Sequence, residues 1–273
     1  MTWNLAPNER NAIEGMTFEP FQTVFPTIVY RRYSPHWRKA LRNTPRGSSN
    51  DDLIPGPLLH ARIGDRIVVH FKNLDTTFKN PHSMHFHGVH YRPSSDGAYV
   101  PGFSGGDAEV KPGHTWTYRL RAGADSGGVW PYHDHSPSME ASIGGGMYGM
   151  LSILGARERA PDREFVVVFH EHGDFQTIDE RSFVGNTPVF KSHVGQLVQW
   201  DVMAMGSEHH TFHVHGHRWR DPDGVPRDTK TIGPAESFRF RWIERDPGTW
   251  LYHCHVEAHM MAGMIGIYRV SRR

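Results

Sequence analysis

Histidine is the residue with the most chemical capacity in this chain. It occurs 21 times, beside a single cysteine. Eight of the histidines form four H-x-H pairs: His85 and His87, His133 and His135, His213 and His215, His253 and His255. On a strand, side chains at i and i+2 leave the same face, about 6.6 Å apart along it. That spacing is too wide to chelate one ion and suits two neighbouring ions. Imidazole is a ligand for zinc, copper, iron and nickel, so eight rings in this pattern predict a small metal cluster. A lone pair reads as an exposed or hydrogen-bonded feature of a strand; four pairs in repeated positions argue for a shared site.

The single thiol sits within one of these pairs, as Cys254 between His253 and His255. In an extended tripeptide its sulfur points away from the face bearing the two rings. One strand then offers a thiolate to one metal and imidazoles to others, with only a few covalent bonds between them. His210 precedes the third pair, and His259 and Met264 follow Cys254. Two histidines, a cysteine and a weak axial methionine are the ligand set of a blue-copper electron-transfer site. Met260 and Met261 lie nearby, and methionine also fills cores, so the axial position has more than one candidate. With one cysteine no intrachain disulfide can form.

The elements that must hold these residues are short and β-rich, as at 66–71, 115–120, 165–169 and 237–242. Glycine and proline, 28 and 19 residues, punctuate them. Many short strands between turn signals predict an all-β chain of β-sandwiches. The sequence also repeats. A W-x-Y-H-x-H segment occurs at 130–135 and at 250–255, each followed by a Gly/Met-rich return strand, and H-x-H-G occurs at 85–88 and 213–216. Such a long-period duplication predicts two similar domains, here 1–155 and 164–273 with a polar linker at 156–163. The 273 residues suffice for both. A formal net charge of +1 argues against nucleic acid or an anionic membrane as the main partner. No run reaches the roughly 18 apolar residues of a membrane span, and residues 1–7 lack the basic-then-apolar layout of a signal peptide.

Taken together, these segments resemble the multicopper oxidases, and among them the two-domain, laccase-like enzymes. The similarity covers nearly the whole chain and implies two cupredoxin-like Greek-key β-sandwich domains. It implies four coppers per chain. Type 1 copper falls to His210, Cys254 and His259, with Met264 axial. Type 2 copper falls to His85 and His213. One type 3 copper falls to His87, His133 and His255, and the other to His135, His215 and His253. Asp134 stands where Cys254 does in the second copy, so a blue site is expected only in the second domain. The resemblance further implies a homotrimer, with trinuclear clusters shared between subunits, and a location outside the cytoplasm, secreted or in the cell envelope. Asp96 is expected to deliver protons near the type 2 copper and Tyr91 to act as a redox-active phenol there; a turn-forming Asp and a packing Tyr are their plainer readings.

The activity this implies is laccase-like. A small reducing donor, phenolic or a metal ion, gives single electrons near His259, and O2 is reduced to water. A cuprous or ferrous oxidase for copper tolerance is the alternative. A copper nitrite reductase needs fewer histidines and has its blue site in the first domain; a non-catalytic copper carrier would use Met203, Met205, Met260 and Met261, for which packing within the sandwiches is the preferred reading. Among the remaining features, His170-Glu171-His172 has no repeat partner and is expected at a solvent-facing strand end. His90 and His217 flank ligand pairs and are candidates to fix ring tautomers. His36, His60, His70, His82, His114, His193 and His209 have no motif support. Trp130 and Trp250 are expected in cores, and the basic stretch 31–39 on a solvated face or a subunit contact.

Overall fold

The computed structural model describes residues 1–11, 13–43, 53–221 and 223–272. The chain divides into two compact units. The N-terminal unit comprises 28–41 and 53–159; the C-terminal unit comprises 160–273 together with Met1–Thr27 and the pair Arg42 and Asn43. The division falls within the expected linker, but the first 27 residues belong with the second sandwich, a correction to the expected 1–155 domain. The reason is local packing. Trp3 and Leu5 are buried, the Trp3 indole N–H donates to the Glu180 carbonyl (2.7 Å), and the Arg181 guanidinium lies 3.9 Å over the Trp3 ring.

Both units are built from largely antiparallel β-sheets, with parallel edge pairings and, in the C-terminal unit, a parallel central pair of Arg163–His172 with Leu197–Ala204, as expected of cupredoxin-like sandwiches. In the N-terminal unit a four-stranded sheet runs Leu59–Arg62, Tyr148–Leu154, Gly128–His133, His85–Phe86, and a three-stranded sheet runs Arg66–Lys72, Thr115–Arg121, His90–Tyr91. The C-terminal unit has a four-stranded sheet, Phe175–Ile178, Arg163–His172, Leu197–Ala204, Ser237–Ile243. Its five-stranded sheet runs Val189–His193, Ile265–Ser271, Gly248–Cys254, His210–Val214, Thr229–Ile232. Each core is aromatic: Tyr30, Phe71, Phe86, Tyr118 and Tyr132 in the first, Phe165, Phe190, Trp200, Phe212, Tyr252 and Tyr268 in the second.

Strand register brings the histidine pairs together. In the N-terminal unit His133 lies directly opposite His85, and in the C-terminal unit His253 lies directly opposite His213. The glycine after each early pair is required by a close approach. Gly88 and Gly216 have φ of +69° and +72°. A Cβ on Gly88 would lie 1.9 Å from the Trp130 ring, and one on Gly216 would lie 2.7 Å from Trp250. Each tryptophan therefore clamps the turn that leaves its H-x-H strand.

Candidate functional site

The eight paired histidines form two four-ring clusters, one per unit. In the N-terminal unit His85 lies 5.1, 5.4 and 5.3 Å, centroid to centroid, from His87, His133 and His135. In the C-terminal unit His213 lies 5.2, 5.4 and 5.4 Å from His215, His253 and His255. The closest nitrogens belong to different pairs. His87 Nε2 is 3.2 Å from His133 Nε2, and His215 Nε2 is 3.1 Å from His253 Nε2. Two nitrogens on one first-row divalent ion, each at about 2.0 Å, can be no more than about 4 Å apart. Both cross-pair contacts satisfy that limit, and each H-x-H pair is free to divide between ions.

Backbone carbonyls fix the ring tautomers. His133 Nδ1 donates to the Asp134 carbonyl (2.9 Å) and His253 Nδ1 to the Cys254 carbonyl (2.8 Å). His85 Nδ1 donates to the Asp96 carbonyl and His213 Nδ1 to the Asp228 carbonyl, both at 2.7 Å. All four rings keep Nε2 as a lone-pair donor, which is how outer partners orient metal-binding imidazoles. Burial, with added repulsion from neighbouring histidines, lowers His87, His133 and His253 to about 4. At neutral pH these rings are uncharged and carry no proton that a metal must displace.

A second donor set lies behind the C-terminal cluster. Cys254 is fully buried, with its sulfur 3.9 Å from His210 Nδ1 and 3.7 Å from His259 Nδ1. The two Nδ1 atoms are 3.2 Å apart. Nitrogen and sulfur on one ion, at about 2.0 and 2.3 Å, span no more than about 4.3 Å, so all three donors fit one metal. Thr211 N donates to the sulfur (3.3 Å), and burial lowers His210 to about 3. Met264 is buried in the same core; its carbonyl accepts from Cys254 N (3.1 Å) and its amide donates to the His259 carbonyl (3.0 Å). Met261 instead lines a surface pocket with Phe18, Phe175 and Phe183. His253 and His255 thus reach one cluster while Cys254 between them reaches the other set.

Tyr91 and Asp96 both border His85. The Tyr91 ring is 6.2 Å from the His85 ring, and Asp96 Oδ1 is 3.4 Å from His85 Nδ1. Burial first, then the Asp96 charge and a hydrogen bond to it, push the Tyr91 phenol up to about 12. Sequence reasoning missed Glu208, whose carboxylate accepts from His259 Nε2 (3.0 Å) and from the Gln176 amide (2.9 Å). Nothing local in the sequence marks it, because the contact comes from a loop opposite the helix Glu257–Met261.

Other expectations need correction. His170 is not solvent-facing: it is buried and bonded to the fully buried Glu180, while His172 stacks on Phe25 at 4.0 Å. Neither flanking histidine bonds a ring of the cluster: His217 donates from Nδ1 to the His215 backbone carbonyl (2.7 Å) with Nε2 against Glu244 (3.1 Å), and His90 pairs with Asp125 at the surface. Met203 and Met205 need no correction: they are buried core residues, as the packing reading expects. His82, set aside for want of a motif, is buried between Asp75 and Asp134.

Family models described as multicopper oxidase match residues 38–158 and 158–273. Over 80% of the chain, it is 30% identical to a probable nitrite reductase–hydroxylamine oxidoreductase fusion protein of Kuenenia stuttgartiensis. Over 98% of the chain it is 28% identical to human ferroxidase HEPHL1. The chain spans about 28% of the length of each of these relatives. Among solved structures, a blue copper oxidase from Nitrosomonas europaea superposes with a TM-score of 0.65 at 25% identity, covering 80% of this chain and 77% of that one. With both halves matched in order and a cupredoxin-like sandwich in each, the chain belongs to the multicopper oxidase family.

Proposed function

We propose that this chain is a four-copper oxidase that takes single electrons from a small reducing donor beside His259. When bound, the coppers supply one-electron acceptance at a type 1 centre and four-electron reduction of O2 to water at a trinuclear cluster. The observation that carries the reading is the position of Cys254. Its sulfur meets His210 and His259, while the residues on either side of it belong to the four-ring cluster.

In this reading His210, Cys254 and His259 hold type 1 copper, with Met264 axial. His85 and His213 hold type 2 copper. His87 and His133, joined by His255, hold one type 3 copper; His215 and His253, joined by His135, hold the other. The cross-pair contacts of 3.2 and 3.1 Å support that division, because each falls within one ligand set. Each unit supplies four of the eight imidazoles, and the proposed assembly is a homotrimer in which units of different copies complete each cluster. Asp96, beside His85 and bonded to Tyr91, is the proposed proton-holding group at the cluster.

His259 turns Nδ1 toward Cys254 and Nε2 outward, which makes its outer edge the entry point for electrons. The Glu208 carboxylate on that edge favours a second reading of the donor, a cation such as a ferrous or cuprous ion, over the phenolic donor of laccases. The relative named as a ferroxidase is consistent with it. Oxygen uptake with a phenol, with Fe(II), with Cu(I) and with no donor separates these cases. Four coppers per chain with donor-dependent uptake are expected. Two coppers per chain with strong nitrite reduction would refute the oxidase reading.

A further inference from the structure

The N-terminal unit contains a counterpart of the centre at Cys254 that lacks its thiolate. His82 stands three residues before His85, as His210 stands before His213. Asp134 stands between His133 and His135 where Cys254 stands between His253 and His255. The correspondence holds atom by atom. Ser83 N donates to Asp134 Oδ1 (2.7 Å) as Thr211 N donates to Cys254 Sγ (3.3 Å). Asp134 N donates to the Met147 carbonyl as Cys254 N donates to that of Met264, both at 3.1 Å. His82 turns Nδ1 toward Asp134 (3.4 Å) as His210 turns Nδ1 toward Cys254 (3.9 Å). His82, Asp134 and Met147 are buried, as are His210, Cys254 and Met264. Five residues beyond Asp134 lies Met139, opening the helix Met139–Gly144; five beyond Cys254 lies His259, on Glu257–Met261.

What differs is the filling. His82 Nε2 is 3.3 Å from Asp75 Oδ2, so the ring is held between two carboxylates. Asp134 also accepts from the Ser136 and Ser142 hydroxyls (2.8 and 2.5 Å). A ring so placed favours its cationic form, supplying positive charge in a pocket where the other unit has donors for a metal. His210 Nε2, by contrast, is buried without a hydrogen-bond partner among the described residues.

We propose that His82, Asp134, Met139 and Met147 are a latent type 1 copper frame, in which the imidazole corresponding to His210 is clamped between two carboxylates rather than turned to an ion. The frame lacks only two donors, at 134 and 139. The inference rests on the assignment of copper to His210, Cys254 and His259. Its test is Asp134→Cys with Met139→His, introduced into a Cys254→Ser background so that no native thiolate contributes colour. Relative to that parent, the frame should bind one additional copper per chain and restore an intense visible charge-transfer band. A folded variant with neither would overturn the proposal. Should the triple variant not fold, Asp134→Cys alone in the same background is loaded with Co(II) and read for a thiolate-to-cobalt band. Absence of that band, or failure of this variant also to fold, shows that the frame does not accept a thiolate and overturns the proposal. The wild-type spectrum keeps the two readings apart: without a native blue band the assignment at Cys254 fails, whereas a native band with a colourless variant refutes the latent frame alone.

Discussion

Substituting Glu208 by Gln would separate a cationic donor from a neutral one. The amide keeps an oxygen to accept the His259 Nε2 proton, now bonded to the carboxylate at 3.0 Å, so the ring's orientation is retained and only the charge is lost. The Glu208 side chain is 42% exposed, so the effective dielectric lies between that of a protein surface and water. For a divalent ion docking about 4 Å away, that attraction is worth about 2 kcal/mol at the dielectric of water and more at that of a protein surface. The expected loss in kcat/KM for Fe(II) is then roughly 30-fold or more, and the Fe(II) rate of the wild type should fall with added salt. A neutral phenol should lose little. Steady-state oxygen uptake over a range of ionic strengths measures both. Equal losses for the two donors, or none for Fe(II), would refute the role given to the Glu208 charge.

Replacing Met264 by Leu should raise the type 1 reduction potential with the copper content unchanged, as a redox titration would read; an unchanged potential would shift the axial role to Met261. The metal-free protein should lose stability as pH falls from about 6.5 to 4 through His87, His133, His210 and His253, which bind protons there when unfolded and not in their buried sites. His133, lowered to about 4 by burial, accounts for about 2 kcal/mol of that loss between pH 7 and 5; denaturant melts of the apo-protein showing no loss would contradict it. Gly88→Ala should cost about 2–4 kcal/mol, through positive φ and the Trp130 contact. Gly113→Ala, at φ +82° with no atom of the described residues within 4 Å of the added carbon, should cost only the backbone part, about 1 kcal/mol. Equal melting temperatures for the two variants would show that the Trp130 clamp is unimportant.

Much of this site is written locally. The H-x-H pairs lie on strands, where alternation fixes which side chains share a face, so the common face of each pair and the opposite heading of Cys254 follow from spacing, whereas the register that sets His133 against His85 and His253 against His213 does not. The two sandwiches were legible for a related reason, since the duplicated segments carry their strands and turns with them. Contacts made across the fold were not legible. Glu208 reaches His259 from a distant loop, and the Glu180 that buries His170 comes from a turn after the next strand. The first 27 residues have no composition that assigns them to either unit; Trp3 and Leu5 decide it by the core they fill. His82 was within reach, since H-x-x-H-x-H occurs in both halves, but with Asp134 in place of cysteine the first copy offered no metal chemistry to draw attention to it.

Metal analysis of the purified protein, with its visible absorption spectrum, beside the same measurements on Cys254→Ser, bears on the whole account at once. Four coppers per chain and an intense blue band are expected in the wild type. The variant should lose the band and one copper, and retain the three coppers held by the paired histidines. A variant that keeps both its colour and its oxidase turnover would contradict the assignment of the thiolate as the link between the two centres.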